Sequence, residues 1–351
     1  MTAPPQACTV AEPEREMGIR PGPGNSSCSR LPLVVCAASV LASSSGCFGI
    51  LDPTVHWGRA YDSFEAAVES SDVEKTRRLL VQCPELAYGD SVPIVTASER
   101  GSAEMVRLLV RAGADLNRKQ GMFGGRRAIC LAASKGHLEV VRLLLDAGAN
   151  IDATEHAAAG RTALSCASER GHASIAQLLI ARGANVNHKE DRGRGGPLHY
   201  AAGRGHAEIA AMLIENGANV NARLAGGRTP LDLAVRSHDV ATVKILLANG
   251  AEVRKKVNRY EKTSLHEATC EGLADMVNML VTAGADINAR DKAHGRTPLH
   301  WAALNGFDGI AKKLIESGAV LDLKDKSGST PLKLAHDESM AKLLRDGGST
   351  Q

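Results

Sequence analysis

The sequence predicts an all-α fold, a solenoid of stacked helix-turn-helix units with projecting finger turns. Three observations predict it. One phrase returns along the chain, as "RTALSCASERGHASIAQLLIARGANVN" at 161–187, "GPLHYAAGRGHAEIAAMLIENGANVN" at 196–221 and "RTPLHWAALNGFDGIAKKLIESGA" at 296–319. The apolar residue after its Thr-Pro slot falls at Ile94, Ile129, Leu164, Leu198, Leu231, Leu265, Leu299 and Leu332, in steps of 33 to 35 residues. Each unit also divides into two short apolar stretches, both followed by glycine in most copies. Self-similarity at such a period is the mark of a repeat architecture.

Composition agrees with this. The chain has 351 residues, 44% of them hydrophobic and 23% charged, which is ample for a packed core. Only 3% are aromatic and 35 are glycine, which argues against a large aromatic-packed sandwich. The length alone suggests two domains. A repeat array is instead one elongated domain whatever its length. The eight cysteines include no C-x-x-C pair and no clustered spacing, so neither a zinc module nor a disulfide scaffold is indicated.

The physics of one unit reads directly from its residues. Thr at the N-cap bonds an orphan backbone N–H, and Pro at the first helical position already has helical φ and needs no donor. A short inner helix then runs to Gly101, Gly136, Gly171, Gly205, Gly272 or Gly306. An outer helix follows, such as 138–147 with Val140, Val141, Leu143, Leu144 and Leu145. It stops at Gly148, a left-handed C-cap, with equivalents at Gly113, Gly183, Gly217, Gly250, Gly284 and Gly318. A turn of Gly, Asn, Asp and basic residues leads to the next copy. The outer helix is apolar over too wide an arc to stand alone and needs a copy on each side.

These residues resemble the ankyrin repeat. Its T-P-L-H-x-A motif stands complete at Thr297–Ala302, with partial copies at 197–201, 229–234, 263–268 and 330–335. Departures fall in the first two copies (Val92-Pro-Ile-Val and Arg127-Ala-Ile-Cys) and in the fifth, where Ser237-His238 replaces Gly-His. The resemblance spans roughly residues 60–347 and implies an ankyrin-repeat solenoid. It divides into an N-terminal cap over 60–89, seven repeats over about 90–323 and a C-terminal cap over 324–347, with a tail at 348–351. The caps are expected to be polar outside. Thus Leu332, Leu334, Leu343 and Leu344 pack inward while Lys333, Lys342 and Arg345 face water.

Residues 1–59 are of another kind. Residues 1–30 carry Pro, Gly and Ser with few apolar groups and read as disordered. The uncharged run "LPLVVCAASVLA" at 31–42 has basic residues before it and small ones after it, the layout of a secretory signal segment over about 17–47. At about 1.5 Å per residue, twelve residues do not cross a core of about 30 Å. The ending Ser44-Ser-Gly-Cys47 resembles a bacterial lipoprotein box, although Ser44 stands where the box prefers Leu. That resemblance implies lipidation of Cys47 and a membrane tether at the bacterial cell envelope. An ordinary signal, or an unprocessed leader with a cytoplasmic chain, stays open, as does a start at Met17.

No catalytic constellation stands out, so the chain is expected not to be an enzyme and to need no cofactor and no metal. His199, His266 and His300 fill the motif's His slot, while His137, His172 and His206 follow the inter-helix Gly. In the resembled family both slots are structural, the ring tying a turn to neighbouring backbone. Cys130 and Cys166 lie in adjacent repeats at different motif positions, which favours buried packing over a disulfide. "GMFGG" at 121–125 and "GRGG" at 193–196 lack the Lys-Ser/Thr of a phosphate loop.

A partner-binding surface is easier to place. In the resembled family, ligands meet the finger turns and the residues late in the inner helix. The late inner-helix positions carry Arg100, Lys135, Arg170, Arg204 and Arg236 in five consecutive repeats. The position before the Thr slot carries Arg126, Arg161, Arg228, Lys262 and Arg296. The seven turn segments together hold 20 Lys/Arg and 6 Asp/Glu, a net of +14, against 22 and 33 elsewhere, a net of −11; the total is the chain's +3. A nearly neutral chain therefore has one positive edge, which steers acidic partners and is screened by salt. Nucleic acid is disfavoured, because the fingers offer only Phe123 and Tyr260 for stacking. The expected function is a non-catalytic scaffold, monomeric, that grips an acidic protein on a concave face and this basic edge. The alternatives are a secreted or envelope-tethered effector or inhibitor, and a regulatory subunit of an enzyme.

Mass spectrometry of a membrane fraction tests the leader. The lipoprotein reading expects an acylated chain beginning at Cys47. A soluble chain that begins at Met1 or Met17 overturns it.

Overall fold

The computed structural model describes residues 53–88, 93–118, 125–155, 160–253 and 262–349, except the side chains of 53–59 and 192. The segment 17–47, with Cys47 and the rest of the leader through residue 52, lies outside the described residues, as do the finger tips at 119–124, 156–159 and 254–261. Among the described residues the fold is helical, with a single isolated β-bridge between Glu155 and Arg161. No described helix is long and apolar enough to cross a membrane.

Seven helix pairs follow one another. The inner helices are Pro93–Arg100, Ala128–Lys135, Ala163–Arg170, Pro197–Arg204, Pro230–Arg236, Ser264–Cys270 and Pro298–Asn305. Their outer partners are Ala103–Arg111, Leu138–Asp146, Ala173–Ala181, Ala207–Glu215, Val240–Ala248, Ala274–Thr282 and Asp308–Glu316. At the N-terminal end stand Pro53–Glu69 and Val73–Gln82, so that helix begins seven residues before the expected boundary at 60. At the other end a 3-10 turn, Leu332–Leu334, replaces the inner helix and Glu338–Asp346 is the last outer one.

The expected caps form the inner helices. Thr162 Oγ1 accepts the Ser165 N–H at 3.2 Å. In the fifth repeat Thr229 and Asp232 close a reciprocal box, with the Thr229 N–H donating to Asp232 Oδ2 at 2.8 Å. The inter-helix glycines adopt left-handed backbone, as at Gly171 with φ 78°. A side chain there is excluded twice over, because a Cβ would also lie 2.6 Å from the ring of His206. The fifth repeat, which lacks this glycine, puts His238 at φ 59° instead. That is a strained position for a residue with a side chain.

Burial explains why the units cannot separate. On the outer helix Leu138–Asp146, Val140, Val141 and Leu144 are buried, while Leu143 and Leu145 pack half-buried against the same core. One hydrophobic cluster runs unbroken from Phe64 to Leu344. In the C-terminal cap Leu344 is buried and Leu332, Leu334 and Leu343 are half-buried, while Lys333, Lys342 and Arg345 are exposed.

Polar ties stitch the same seams. After the inter-helix Gly, His137, His172 and His206 reach back through Nε2 to Glu99 O, Ser134 O and Glu169 O at 3.0 to 3.2 Å. At the finger bases one side chain accepts a backbone N–H of the next unit. Asn117 takes that of Asn150 at 2.9 Å, Asn187 that of Asn219 at 2.8 Å and Asn288 that of Val320 at 2.9 Å. Cys130 fills the motif's His slot, and its thiol points at Ala153 O, 3.3 Å away. Cys130 and Cys166 are both free and buried.

Leu179 is fully buried at a seam, so Leu179→Ala is expected to lower the unfolding free energy by about 2–5 kcal/mol. Val81 is 79% exposed, and Val81→Ala is expected to stay within about 0.5 kcal/mol. Urea titration followed by far-UV circular dichroism checks both. Equal effects at the two sites contradict the continuous core.

Candidate partner-binding surface

Five of the seven inner helices among the described residues end in a basic residue. Arg100, Lys135, Arg170, Arg204 and Arg236 each end such a helix and are all exposed. A cation there complements the negative end of the helix dipole. The five then divide. Arg204 Nη2 donates to Glu169 Oε1 at 3.0 Å, and Arg236 Nη1 lies 3.7 Å from Glu267 Oε1. Arg100, Lys135 and Arg170 have no ion pair among the described residues.

The basic residues before the Thr slot are mostly engaged inside the fold. Arg126 pairs with Glu99 at 3.4 Å. Arg161 is half-buried, bonded to Glu169 and 3.9 Å from Glu190. Arg296 Nε donates to Asp325 Oδ2 at 3.2 Å and is mostly shielded from solvent. Lys262 lies 4.3 Å above the Trp301 ring, with its Nζ 3.6 Å from Cys270 Sγ. Arg228 is half-buried near Asp232, whose carboxyl it helps to hold down against burial. These five residues of the positive edge are thus engaged in contacts within the chain, beside the exposed cations that end the inner helices.

Two of these contacts share a plan that motif reading missed. Tyr200 and Trp301 each follow the motif's His. Each donates to an acid ten residues earlier, Tyr200 Oη to Glu190 Oε2 at 2.6 Å and Trp301 Nε1 to Asp291 Oδ2 at 2.9 Å. Each also carries on its ring a base from 39 residues earlier, Arg161 at 5.0 Å and Lys262 at 4.3 Å. Desolvation strengthens such cation–π contacts. The paired spacings of ten and 39 were present in the sequence but carry no motif.

Titration follows this geometry. Burial alone would raise the Glu169 carboxyl, but its bonds to Arg161 and Arg204 bring it below its ordinary value. At Asp291, burial is likewise outweighed by the His294 N–H and the Trp301 Nε1–H. Asp325, held by Ser327, Ser329 and Arg296, lies far below the carboxylate range although its burial opposes this. Burial pushes Glu190 the other way, upward, against its bond from Tyr200. No group of three His, Cys, Asp or Glu among the described residues is arranged to hold a metal ion.

A family model described as ankyrin repeats (3 copies) matches the chain in overlapping placements at 65–155, 94–190, 188–257, 224–291 and 265–350. The chain belongs to the ankyrin-repeat family. Among solved structures it is similar to the human ASB11 ankyrin repeat domain, at 27% identity and a TM-score of 0.56 over 64% of this chain and all of that one. No curated protein matches it. Ankyrin repeats are in general protein–protein interaction modules and typically non-catalytic, and the helices here form that solenoid.

The lowered carboxyls set an acid dependence. Their stabilisation is present above the ordinary carboxyl range, about pH 4, and is lost as pH falls through the depressed values. Asp325→Asn should therefore melt below the parent at about pH 7, with the gap narrowing by about pH 2. Thermal melts across that range check it, and a gap independent of pH contradicts it.

Proposed function

We propose that this ankyrin-repeat chain is a monomeric, non-catalytic scaffold that takes an acidic protein surface on the concave face of its inner helices. One observation carries the reading. Arg100, Lys135 and Arg170 stand at equivalent places in three consecutive repeats, exposed and without ion pairs among the described residues. Unpaired cations are hydrated at little cost, and a complementary acidic face gains attraction and faster encounter. Arg204 extends the row, although Glu169 must release it first. Arg126, Arg161, Lys262 and Arg296 act at one remove, by fixing the fingers beside the row.

The leader favours a second form of the same activity. Its signal-like layout and the Cys47 box support an envelope-tethered effector or inhibitor that holds its partner at a membrane surface. Stable anchoring needs more than one acyl chain, which lipoprotein modification supplies.

Immobilised poly-L-glutamate is a direct probe. The full chain should be retained at about 50 mM salt and released by about 500 mM, as screening shortens the reach of the charges. The triple variant Arg100→Glu, Lys135→Glu, Arg170→Glu should lose retention with an unchanged far-UV spectrum. Retention equal to the parent's would remove the row from the binding surface.

A further inference from the structure

The fourth repeat departs from its sisters where its inner helix begins. In the sixth and seventh repeats the N-cap is Thr263 or Thr297, and its hydroxyl lies 2.8 Å from Nδ1 of His266 or His300. The Thr backbone N–H donates to the same nitrogen, at 3.3 and 3.1 Å. The other ring nitrogen, Nε2, donates to a finger carbonyl, Arg296 O or Ser329 O. Nδ1 is therefore the lone-pair acceptor, and the cap satisfies it.

His199 occupies the same slot in the fourth repeat, and its Nε2 donates to Ala222 O at 3.1 Å. Its N-cap, however, is Gly196, preceded by Gly195. No hydroxyl is available, and Nδ1 has no partner among the described residues; His199 is only 6% exposed as a residue, but Nδ1 is not among its fully buried atoms and is left to solvent. No larger residue at 196 could supply the hydroxyl in this backbone, because a Cβ there runs into the His188 carbonyl oxygen. Burial holds the imidazole down at about 4, so the ring is neutral near pH 7 and Nδ1 accepts rather than donates.

A cavity of about 350 Å³ lies over this helix start, lined by Gly195, Gly196 and His199. That is at the small end of ligand pockets, which start at about 300 Å³. Val186, Pro197 and Leu198 give it apolar wall, and Lys189 and Arg223 line it as well. Both cations are exposed and without an ion pair among the described residues. Glu190 also lines the cavity; the Tyr200 hydroxyl donates to its Oε2, while its Oε1 is buried without a hydrogen bond, 3.9 Å from Arg161 Nε.

We propose that this cavity binds a small hydroxylated anion, whose hydroxyl donates to His199 Nδ1 and whose anionic group is held by Lys189 and Arg223. The hydroxyl takes the place that Thr holds in the sister repeats. A bare anion would bring lone pairs against the lone pair of Nδ1, and a neutral polyol would leave both cations unanswered. The hydrogen bond from the occupant replaces one from solvent, so selectivity comes from meeting the acceptor and the two cations together.

Calorimetry and histidine-detected NMR on the full chain test this with four probes, glycerol 3-phosphate, glycerate, glycerol and inorganic phosphate. One or both hydroxylated anions should bind at a single site and move the His199 ring signals. Whichever does so identifies the anionic group as phosphate or carboxylate. Glycerol and inorganic phosphate should each bind at least about tenfold more weakly, the effect of one good hydrogen bond or ion pair. His199→Leu should abolish the single site. Should that variant fail to fold, Lys189→Ala with Arg223→Ala, both at exposed positions, should weaken the hydroxylated anion at least about tenfold and remove its salt dependence. Inorganic phosphate binding as well as glycerol 3-phosphate, binding without movement of the His199 signals, or no binding of either hydroxylated anion up to about ten millimolar, well weaker than a Kd of 1 mM, overturns the proposal.

Discussion

Each helix pair here is apolar on faces that it cannot cover itself, and burial of those faces on the neighbouring pair is the constraint on which the rest of the structure depends. Two short helices of seven to nine residues are too short to be stable alone in water. They persist because Val141, Leu144 and their counterparts lie in one cluster that runs the length of the array. Stability is then the sum of unit and nearest-neighbour contributions. The histidine and asparagine ties are spent at the seams, where a polar bond between adjacent units adds to what apolar contact already provides.

That constraint also decides which charges are available to a partner. Fingers from adjacent units stand side by side, so an Arg at the end of one finger meets the acid at the start of the next, as Arg161 meets Glu190 and Arg296 meets Asp325. These charges are partly or fully withdrawn from water and act on each other more strongly than surface pairs do. Of the cations at the ends of the inner helices, Arg204 and Arg236 pair across a seam with Glu169 and Glu267, while Arg100, Lys135 and Arg170 meet no acid among the described residues. The charge left exposed is therefore set by what the stacking leaves unpaired, more than by how many bases the fingers contain.

Most of the fold was legible because its signals are local. Thr and Pro before an apolar run, Gly after it and a step near 34 residues each report on a few adjacent residues, and the helices begin and end where these predict. The N-terminal helix from Pro53 was less legible, because the leader's composition hides its start and no Thr-Pro pair marks it. The site was only half legible. Aligning the repeats found the basic positions, including Arg100 and Arg296 alike, but it could not tell them apart. The distinction lies in partners such as Glu169 and Asp325, eight to 35 residues away, which are brought together by the folding of a unit or by its stacking on the next.

Departures from the motif carry more about function than its faithful copies do. A faithful copy satisfies its own polar groups, as His300 does with Thr297, and nothing is left over for a ligand. The fifth repeat replaces His by Asp232 and remains closed, since Thr229 and the Ser264 hydroxyl, at 2.5 Å, both donate to the carboxylate. The fourth replaces Thr by Gly196 and does not close, because glycine has no hydroxyl and no described residue donates to the second ring nitrogen. The two changes look equally mild in sequence. They differ physically because the first exchanges one complete hydrogen-bonding set for another, whereas the second leaves a neutral acceptor without a protein partner among the described residues, in a residue that lines a cavity. In a repeat array the place to look for a ligand is where a substitution breaks such a set and nothing in the neighbouring unit restores it.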